Sequence, residues 1–411
     1  MKIKELFEKI GDTSYPQKFQ NQPTLKGMNI TKRTITLIDR WAKKMTTYGM
    51  LATYIPELKN VNKDLTAIAI GDLHNNRVIV GTGSKIKVSA QSVIKPFLYL
   101  YALEKGVSPE NIAGMTATFM PFYTDRILRP ELKMKIPDHP LGNAGAISSA
   151  AAIKNFDDFA EFMSKITGNP NIKILDKIFE SEFEVNSNNR AIANRLVSSG
   201  CFKNTGEGER AYTNYTKACS LGLTVDDALN ASLVLASGGV RIQNNKRIAK
   251  MNNAVIVMSA MNSYGLYEQS GLISLIVSGA RANTSKSAVS GLIININPGE
   301  GAFVTYSPLL NSKGNSVYGL YASIPLNNLL ALPGGMRLDV DGLNRLLENY
   351  NKKESIRVHK QIISLIRRGE GLKIFRTDSK ILKHLKHTYS IQERYLINLR
   401  KSSKRRDIDL H

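Results

Sequence analysis

The sequence predicts an α+β fold in which segments from both ends of a central body contribute strands to one sheet. Two strand-like segments lie between residues 65 and 80, and strand patterns return after residue 274. Between them, residues 144–236 are rich in helical patterns and small side chains. With 411 residues, of which 42% are hydrophobic, the chain is long enough for one large domain with appendages or for two domains.

The first half begins with a helix and a hairpin. Apolar residues recur at helical spacing over residues 31–45. Residues 65–70 and 78–80 are separated by a polar turn, which predicts a β-hairpin. Residues 85–89 alternate and are expected to extend the sheet. Residues 93–104 are apolar and are followed by a glycine, which predicts a helix with a C-terminal stop.

The second half returns to strands and then changes character. Residues 287–297, 302–306 and 317–324 have strand patterns with Pro-Gly and Lys-Gly turns between them. Beyond about residue 335 the sequence is polar and helical, with basic amphipathic stretches at 356–368 and 381–400. The chain therefore ends in a segment unlike its body.

The net charge of +22 lies mainly at the two ends. Residues 351–411 contain 17 Lys or Arg and 6 Asp or Glu, and residues 1–50 contain 10 and 4. Basic segments of this kind bind nucleic acid, acidic lipid or an acidic partner, although most are simply solvated. We expect weak polyanion binding by the basic C-terminal tail.

Composition also argues against membrane, secreted and metal-dependent classes. No apolar run approaches the ~18 residues of a membrane span. Charges occur in the first nine residues, where a signal peptide needs its apolar core. Cys201 and Cys219 make neither a disulfide framework nor a metal-ligand spacing, and the six histidines are sparse. We expect a cytoplasmic protein with no membrane span, no metal and no organic cofactor.

Two serine–lysine pairs have the spacing i, i+3. Ser84 and Lys87 lie in the alternating stretch, where such positions point to opposite faces of a strand. Ser92 and Lys95 open the apolar helix, where they share one face with Cβ atoms ~5–6 Å apart. A buried lysine can take the proton of a serine hydroxyl, which is otherwise a poor nucleophile. The alternative is a serine at a helix start beside a surface lysine.

Further motifs follow in order around this second pair. They include residues 49–58, QSVIK at 91–95, PLGNAGAI at 140–147, SE at 181–182 with NRAIA at 189–193, YTKACS at 215–220, GLYEQSG at 265–271, KSAVSG at 286–291, SP at 307–308 and GNSV at 314–317. This series, over about residues 49–320, resembles the bacterial-type glutaminases, which are members of the serine β-lactamase-like superfamily.

The resemblance implies a serine β-lactamase/D,D-peptidase-like fold, with a mainly antiparallel sheet flanked by helices and a helical subdomain. It implies that L-glutamine is hydrolysed to L-glutamate and ammonia through a Ser-Lys acyl-enzyme. Ser92 would attack the side-chain carbonyl, Lys95 would accept the proton, and Tyr267 would help move protons to the leaving ammonia. The backbone amides of Ser92 and Val289 would form the oxyanion hole. The implied substrate-binding residues are Ser92, Asn143, Glu182, Asn189, Tyr215, Tyr267 and Val289.

The residue types agree with a free amino acid as substrate. Its ammonium needs an anion, which Glu182 can supply, and its carboxylate needs neutral donors such as Asn143 and Tyr215. Each residue also has a structural alternative. Asn189 could cap a helix, the tyrosines could be core aromatics, and Glu182 could lie on the surface.

The chain departs from the family pattern at His139, where an asparagine usually precedes the proline, and at Ala288, which replaces a glycine beside Val289. Residues 113–136 also differ. We expect a basic N-terminal extension at 1–44, a catalytic domain at 45–335, a basic helical extension at 336–411, and a homo-oligomer (dimer or tetramer).

Two other functions compete with this interpretation. The QSVIK segment also resembles the first motif of penicillin-recognising serine hydrolases, a reading that leaves the other motifs unexplained. A degenerate glutaminase-like protein that binds partners through its basic tails is the alternative without catalysis.

Overall fold

The computed structural model describes residues 30–46, 49–53, 55–114, 136–267, 270 and 284–330, all within the unit Met1–Leu330. Structural statements below concern these residues. The predicted C-terminal extension, including its two amphipathic stretches, lies outside them, as do most of the predicted N-terminal extension and most of residues 113–136.

The strands and helices alternate in blocks along the chain. The strands are β1 (Ala67–Asp72), β2 (Arg77–Val80), β3 (Val88–Ser89), β4 (Gly222–Leu223), β5 (Val240–Arg241), β6 (Lys246–Arg247), β7 (Thr284–Ser287), β8 (Leu292–Asn297) and β9 (Gly301–Tyr306). The helices are α1 (Lys32–Met45), α2 (Pro56–Lys59), α3 (Lys95–Glu104), α4 (Pro109–Ile112), α5 (Asn143–Ala150), α6 (Phe156–Thr167), α7 (Asp176–Val185), α8 (Ser187–Ser198), α9 (Thr205–Cys219), α10 (Val225–Ala236), α11 (Met251–Tyr264) and α12 (Val317–Leu330), with a 3₁₀ turn at Gln91–Ile94.

The main sheet has the order β2-β1-β9-β8-β7, and its neighbouring strands are antiparallel. Because β1 pairs with β9, strands from the two ends of the body lie side by side, as the sequence predicts. All six residues of β1 are buried, since helices cover both faces of the sheet. The α+β prediction is confirmed.

Successive side chains of a strand point to opposite faces of the main sheet, and each face packs against different helices. Gly71 faces α10, where a Cβ would lie 3.1 Å from the Leu233 side chain. Ile68, Thr305 and Ile293 are aligned by the register and share the opposite face. There Ile293 meets Gly319 of α12, and α1 packs against β1, β2 and α12.

Local sequence signals account for several elements. Thr31 caps α1 through a hydrogen bond from the Thr34 N–H, and the predicted helix over residues 31–45 is confirmed. The predicted hairpin is formed by β1 and β2. The helix expected from residue 93 is a 3₁₀ turn that continues as α3, with Pro96 in its first turn, where a missing N–H is tolerated.

Two strand predictions are wrong, and the strand expected over residues 287–297 is divided by a turn at 288–291, so that Ser287 ends β7 and Leu292–Asn297 form β8. Residues 317–324 belong to the helix α12, because a short apolar run does not by itself distinguish a buried strand from a buried helix. Residues 85–89 do not extend the main sheet: only Val88 and Ser89 are in a strand, which pairs with β4. The chain turns away after β2 at Gly81, whose φ of +102° favours glycine. Ser84 therefore lies in a turn and Lys87 follows it, so the two residues do not occupy one strand.

Gly265 joins the last helix of the central block to the sheet. It follows α11, its N–H bonds the Met261 carbonyl at 2.9 Å, and its carbonyl accepts the Ser287 N–H at 3.2 Å. A Cβ at this position would overlap the backbone carbonyl oxygen of Ser285. Only glycine therefore lets the end of α11 lie against β7.

We predict that Gly265→Ala lowers the free energy of unfolding by at least about 2 kcal/mol, because the backbone of β7 must move to admit the methyl group. Gly206→Ala is the matched control. Gly206 is exposed in the first turn of α9 with only an Asn204 side-chain atom near its Cβ position. That substitution should be neutral or stabilising by up to about 1 kcal/mol. Denaturant unfolding of both variants measures the difference, and equal losses would contradict the close approach.

Candidate active site

Ser92 lies half-buried in the 3₁₀ turn Gln91–Ile94, immediately before α3. The Lys95 N–H bonds the Ser92 carbonyl, so the two residues are one turn apart and share a side of the chain. This turn packs against β7 and β8 on one side and α9 on the other. Ser92 is therefore held between the main sheet and the helical block.

Lys95 is 1% exposed and reaches into this interior, so it is not a surface lysine. Its Nζ donates to Asn143 Oδ1 at 2.5 Å. Burial lowers the pKa of Lys95 to about 8, although the charges of Cys219 and Glu182 act in the opposite direction. The hydrogen-bond acceptor of Lys95 is the neutral amide oxygen of Asn143, which raises the pKa of the lysine less than a carboxylate would. A neutral amine is thus accessible near neutral pH.

Asn143, Asn189 and Tyr215 form one hydrogen-bonded group around the lysine. Asn143 Oδ1 also accepts from the Tyr215 hydroxyl at 3.4 Å, and Asn143 Nδ2 donates to Asn189 Oδ1 at 2.9 Å. The three residues come from α5, α8 and α9. Asn189 does not cap α8, because Asn186 does so by accepting the Asn189 N–H. The Asn189 side chain is thereby directed to Asn143.

Glu182 is 3% exposed, so it is not a surface residue. Its Oε2 accepts from Gln91 Nε2 at 2.8 Å. Burial raises the pKa of Glu182 to about 7, against hydrogen bonds from Gln91 and Asn186 and the charge of Lys95, which lower it. The carboxyl group therefore changes between its neutral and its ionised form near neutral pH, and a nearby cation would favour the ionised form.

Tyr267 lies on the sheet side of the site and is buried. Its hydroxyl donates to the Ser287 carbonyl at 3.3 Å, and its φ of +55° is uncommon for a residue with a side chain. Lys286 Nζ lies 4.3 Å from the centre of the tyrosine ring and donates to the same Ser287 carbonyl at 2.8 Å. Burial and the charge of Lys95 hold the pKa of Lys286 well below its usual range.

Val289 lies in the turn between β7 and β8 rather than on a strand. The turn is closed by the Gly291 N–H on the Ala288 carbonyl at 2.9 Å, and the Ala288 N–H bonds the Leu292 carbonyl at 2.9 Å. Ala288 is fully buried in the main hydrophobic core. Among the described residues, no acceptor is paired with the backbone N–H of Ser92 or of Val289.

The sequence interpretation did not assign roles to several residues in this region. Gln91, Cys219 and Lys286 stood inside the recognised motifs, next to residues that did receive roles. His139 was noted only as a departure. Its Nδ1 accepts the Gly142 N–H at 3.1 Å, its ring stacks on Tyr264 at 4.2 Å, and burial with the charges of Lys95 and Lys286 lowers its pKa to about 3.

The predicted site residues thus fall into connected groups. Lys95, Asn143, Asn189 and Tyr215 share one hydrogen-bond network; Glu182 is joined to the residue before Ser92; Tyr267 and Val289 flank the neighbouring strand β7. Within the described part of the chain, no three His, Cys, Asp or Glu residues are grouped to hold a metal ion. In the same part, no helix is long and apolar enough to cross a membrane.

Comparison with known proteins supports the same interpretation. The Glutaminase family profile matches residues 49–332. The chain is 33% identical over 299 residues to a glutaminase of Clostridioides difficile, covering 71% of this chain and 94% of that protein. It is 31% identical over 290 residues to a glutaminase of Clostridium tetani, covering 68% and 91%.

Solved structures agree at the level of the fold. A probable glutaminase, YbaS, superposes with a TM-score of 0.64 at 28% identity over 72% of this chain and 97% of its own. A probable glutaminase from Bacillus subtilis, complexed with 6-diazo-5-oxo-L-norleucine, gives a TM-score of 0.62 over 73% and 94%, and at 21% identity it shows the fold alone. Profile, relatives and fold agree: the chain belongs to the glutaminase family.

Proposed function

We propose that this protein hydrolyses L-glutamine to L-glutamate and ammonia, with Ser92 as nucleophile and Lys95 as its base. The observation that carries the proposal is the buried Lys95, one turn from Ser92, with a pKa lowered to about 8 and a neutral amide as its partner. A lysine in this environment can take a proton from a serine hydroxyl at physiological pH.

In the first half-reaction, Ser92 Oγ bonds to the side-chain amide carbon while its proton passes to Lys95 Nζ. The carbonyl oxygen becomes an oxyanion, and the backbone amides of Ser92 and Val289 donate to it. The carbon–nitrogen bond then breaks, and the leaving nitrogen takes the proton from Lys95 Nζ to depart as ammonia, which returns Lys95 to its neutral form. Tyr267 moves protons at this step. The product on the enzyme is a γ-glutamyl ester of Ser92.

In the second half-reaction, water replaces ammonia. Lys95 takes a proton from the water as its oxygen bonds to the ester carbon, and the same amides hold the new oxyanion. The bond to Ser92 Oγ then breaks, and the proton returns to the serine. Glutamate leaves, and the enzyme is regenerated without a metal or an organic cofactor.

Recognition of the zwitterion uses the remaining residues. Glu182 binds the α-ammonium, whose charge favours the ionised carboxylate. Asn143, Asn189 and Tyr215 bind the α-carboxylate with neutral donors. Their existing network is compatible with this role, because hydroxyl and amide groups can reorient when a ligand carboxylate arrives.

The cellular setting is part of the proposal. We infer that the protein acts in the cytoplasm as a homo-oligomer, a dimer or a tetramer, because its family motifs belong to a metabolic enzyme. Fractionation of source cells tests the first inference, and light scattering of the purified chain tests the second.

Ser92→Ala should reduce ammonia release from glutamine by at least about 10³-fold, because it removes the covalent step. Ser84→Ala, in the other serine–lysine pair, should leave the rate unchanged. Peptide mass spectrometry after treatment with 6-diazo-5-oxo-L-norleucine should place the adduct on Ser92. An adduct on another residue, or turnover by Ser92→Ala at the wild-type rate, would place the nucleophile elsewhere.

The pH dependence follows from the two shifted pKa values. Only neutral Lys95 can accept a proton, so kcat/KM should rise with pH and level off above about 8. Glu182 must be ionised to bind the ammonium, so below about pH 7 a second protonation should steepen the fall. The slope of log(kcat/KM) should be about 1 between these values and about 2 below them.

Lys95→Arg supplies the control for this profile, because an arginine stays protonated and should be nearly inactive at every pH. Lys87→Arg, on the exposed lysine of the other pair, should retain the wild-type profile. A wild-type profile without a rise between pH 6 and 8 would rule out Lys95 as the base.

The basic tail should be separable from catalysis. Residues 351–411 carry +11 of the net charge of +22, and the family match ends at residue 332. Truncation near residue 345 should retain ammonia release and lose most of any affinity for a polyanion. In the full chain that affinity should fall steeply with salt. An aggregated, inactive product would show that the tail is needed by the body.

A further inference from the structure

Gln91 connects the proposed ammonium-binding carboxylate to the residue that precedes the nucleophile. Its side-chain Nε2 donates to Glu182 Oε2 at 2.8 Å, and both residues are buried. Gln91 is also the first residue of the 3₁₀ turn that contains Ser92. One peptide bond therefore separates the residue that holds Glu182 from the residue that attacks the substrate.

The backbone of Gln91 is held in an unfavourable conformation. Its φ of +47° is in the left-handed region, which residues other than glycine, asparagine and aspartate rarely adopt. Such a conformation persists where surrounding interactions determine it. The neighbouring Ala90 is anchored by its N–H on the Leu221 carbonyl at 2.8 Å, and the bond to Glu182 holds Gln91 from the side-chain end.

The strength of the hydrogen bond from Gln91 depends on whether Glu182 is ionised, and no counter-ion in contact holds Glu182 in its ionised form. Its hydrogen-bond partners are the amides of Gln91 and Asn186, and among the described residues no salt bridge reaches it. An amide donor bonds more strongly to an ionised carboxylate than to a neutral carboxyl group. A bound ammonium that ionises Glu182 would thereby strengthen the hold on Gln91.

We propose that Gln91 is a positioning residue, which couples the recognition of the substrate's α-ammonium at Glu182 to the orientation of Ser92. The inference rests on the proposed glutaminase function and deepens it. Part of the free energy of binding the α-ammonium group then stabilises the orientation of Ser92 in which it attacks the substrate. The coupling selects free α-amino acid amides through kcat as well as through KM.

The wild-type enzyme gives the first test. Ammonia release is measured with glutamine and with 4-carbamoylbutanoate, which has the same amide and carboxylate but no α-amino group. We expect kcat for glutamine to exceed kcat for the analogue by about 10-fold or more, the size of one hydrogen bond to a charged group. Equal kcat values, with the difference confined to KM, overturn the coupling.

Two variants then separate the hydrogen bond from the backbone conformation. Gln91→Met keeps the length of the side chain and removes the donor. Gln91→Asn keeps an amide and accepts the left-handed conformation more readily, but it is one methylene too short to reach Glu182. Both should lower kcat for glutamine about 10- to 100-fold and kcat for the analogue less than about 3-fold. A wild-type rate in Gln91→Asn would show that backbone conformation alone matters.

A double-mutant cycle with Glu182→Gln completes the design. If Gln91 acts through Glu182, Glu182→Gln should lower kcat for glutamine strongly in the wild type and little in Gln91→Met. Independent, additive losses in kcat overturn the proposal, as do equal losses for both substrates. Wild-type protein that releases no ammonia from glutamine overturns both this inference and the proposed function, whereas a normal rate with additive losses overturns this inference alone.

Discussion

Burial of the Lys95 ammonium between the sheet and the helical block is the constraint on which the site depends. A lysine in water is protonated and cannot act as a base, whereas removal from water lowers its pKa to about 8. The partner that holds it must not undo this effect. A carboxylate at position 143 would stabilise the charged form, but the amide oxygen of Asn143 orients Lys95 Nζ and leaves its charge uncompensated.

The pKa values of other buried groups near Lys95 are also shifted by burial. Burial and the charge of Lys95 hold the pKa of Lys286 well below its usual range, while burial and the charges of both lysines lower the pKa of His139 and keep it neutral. Burial instead raises the pKa of Glu182 to about 7, which favours its neutral form. Buried groups of this kind destabilise a fold unless they are paired, and in the proposed function the charges of the substrate would pair with them.

Unfavourable backbone conformations also occur around the site. Gln91 and Tyr267, on opposite sides of the site, both have positive φ values, and Gly265 is packed too closely for any side chain. Residues in such conformations concentrate where the surrounding fold must place a group accurately. Here they hold the serine turn and Tyr267, whose hydroxyl donates to the Ser287 carbonyl of β7, so the packing of α11 against β7 and of α9 against the serine turn keeps the proposed reacting groups in place.

Periodicity and local chemistry in the sequence determined much of the architecture. The Thr31 cap, the polar turn of the first hairpin and the helix after Ser92 are local signals, and each is found in the structure. The order of short motifs was sufficient to indicate the family. The prediction of a strand at 317–324 was wrong because an apolar run does not show locally which elements will bury it. In the fold these residues belong to the helix α12, which packs against the sheet and α1.

Only the tertiary structure decided how the site residues act on one another. Gln91 and Glu182 are 91 positions apart, and Lys95 meets Asn143 across 48 positions, so no local pattern could reveal either bond. The same holds for the pKa values, which are set by exclusion of water and by charges on other elements. Residue types and their order are local properties of the chain, whereas burial and proximity arise from its long-range packing; the sequence therefore determined which groups were present, and the fold determined their protonation and their partners.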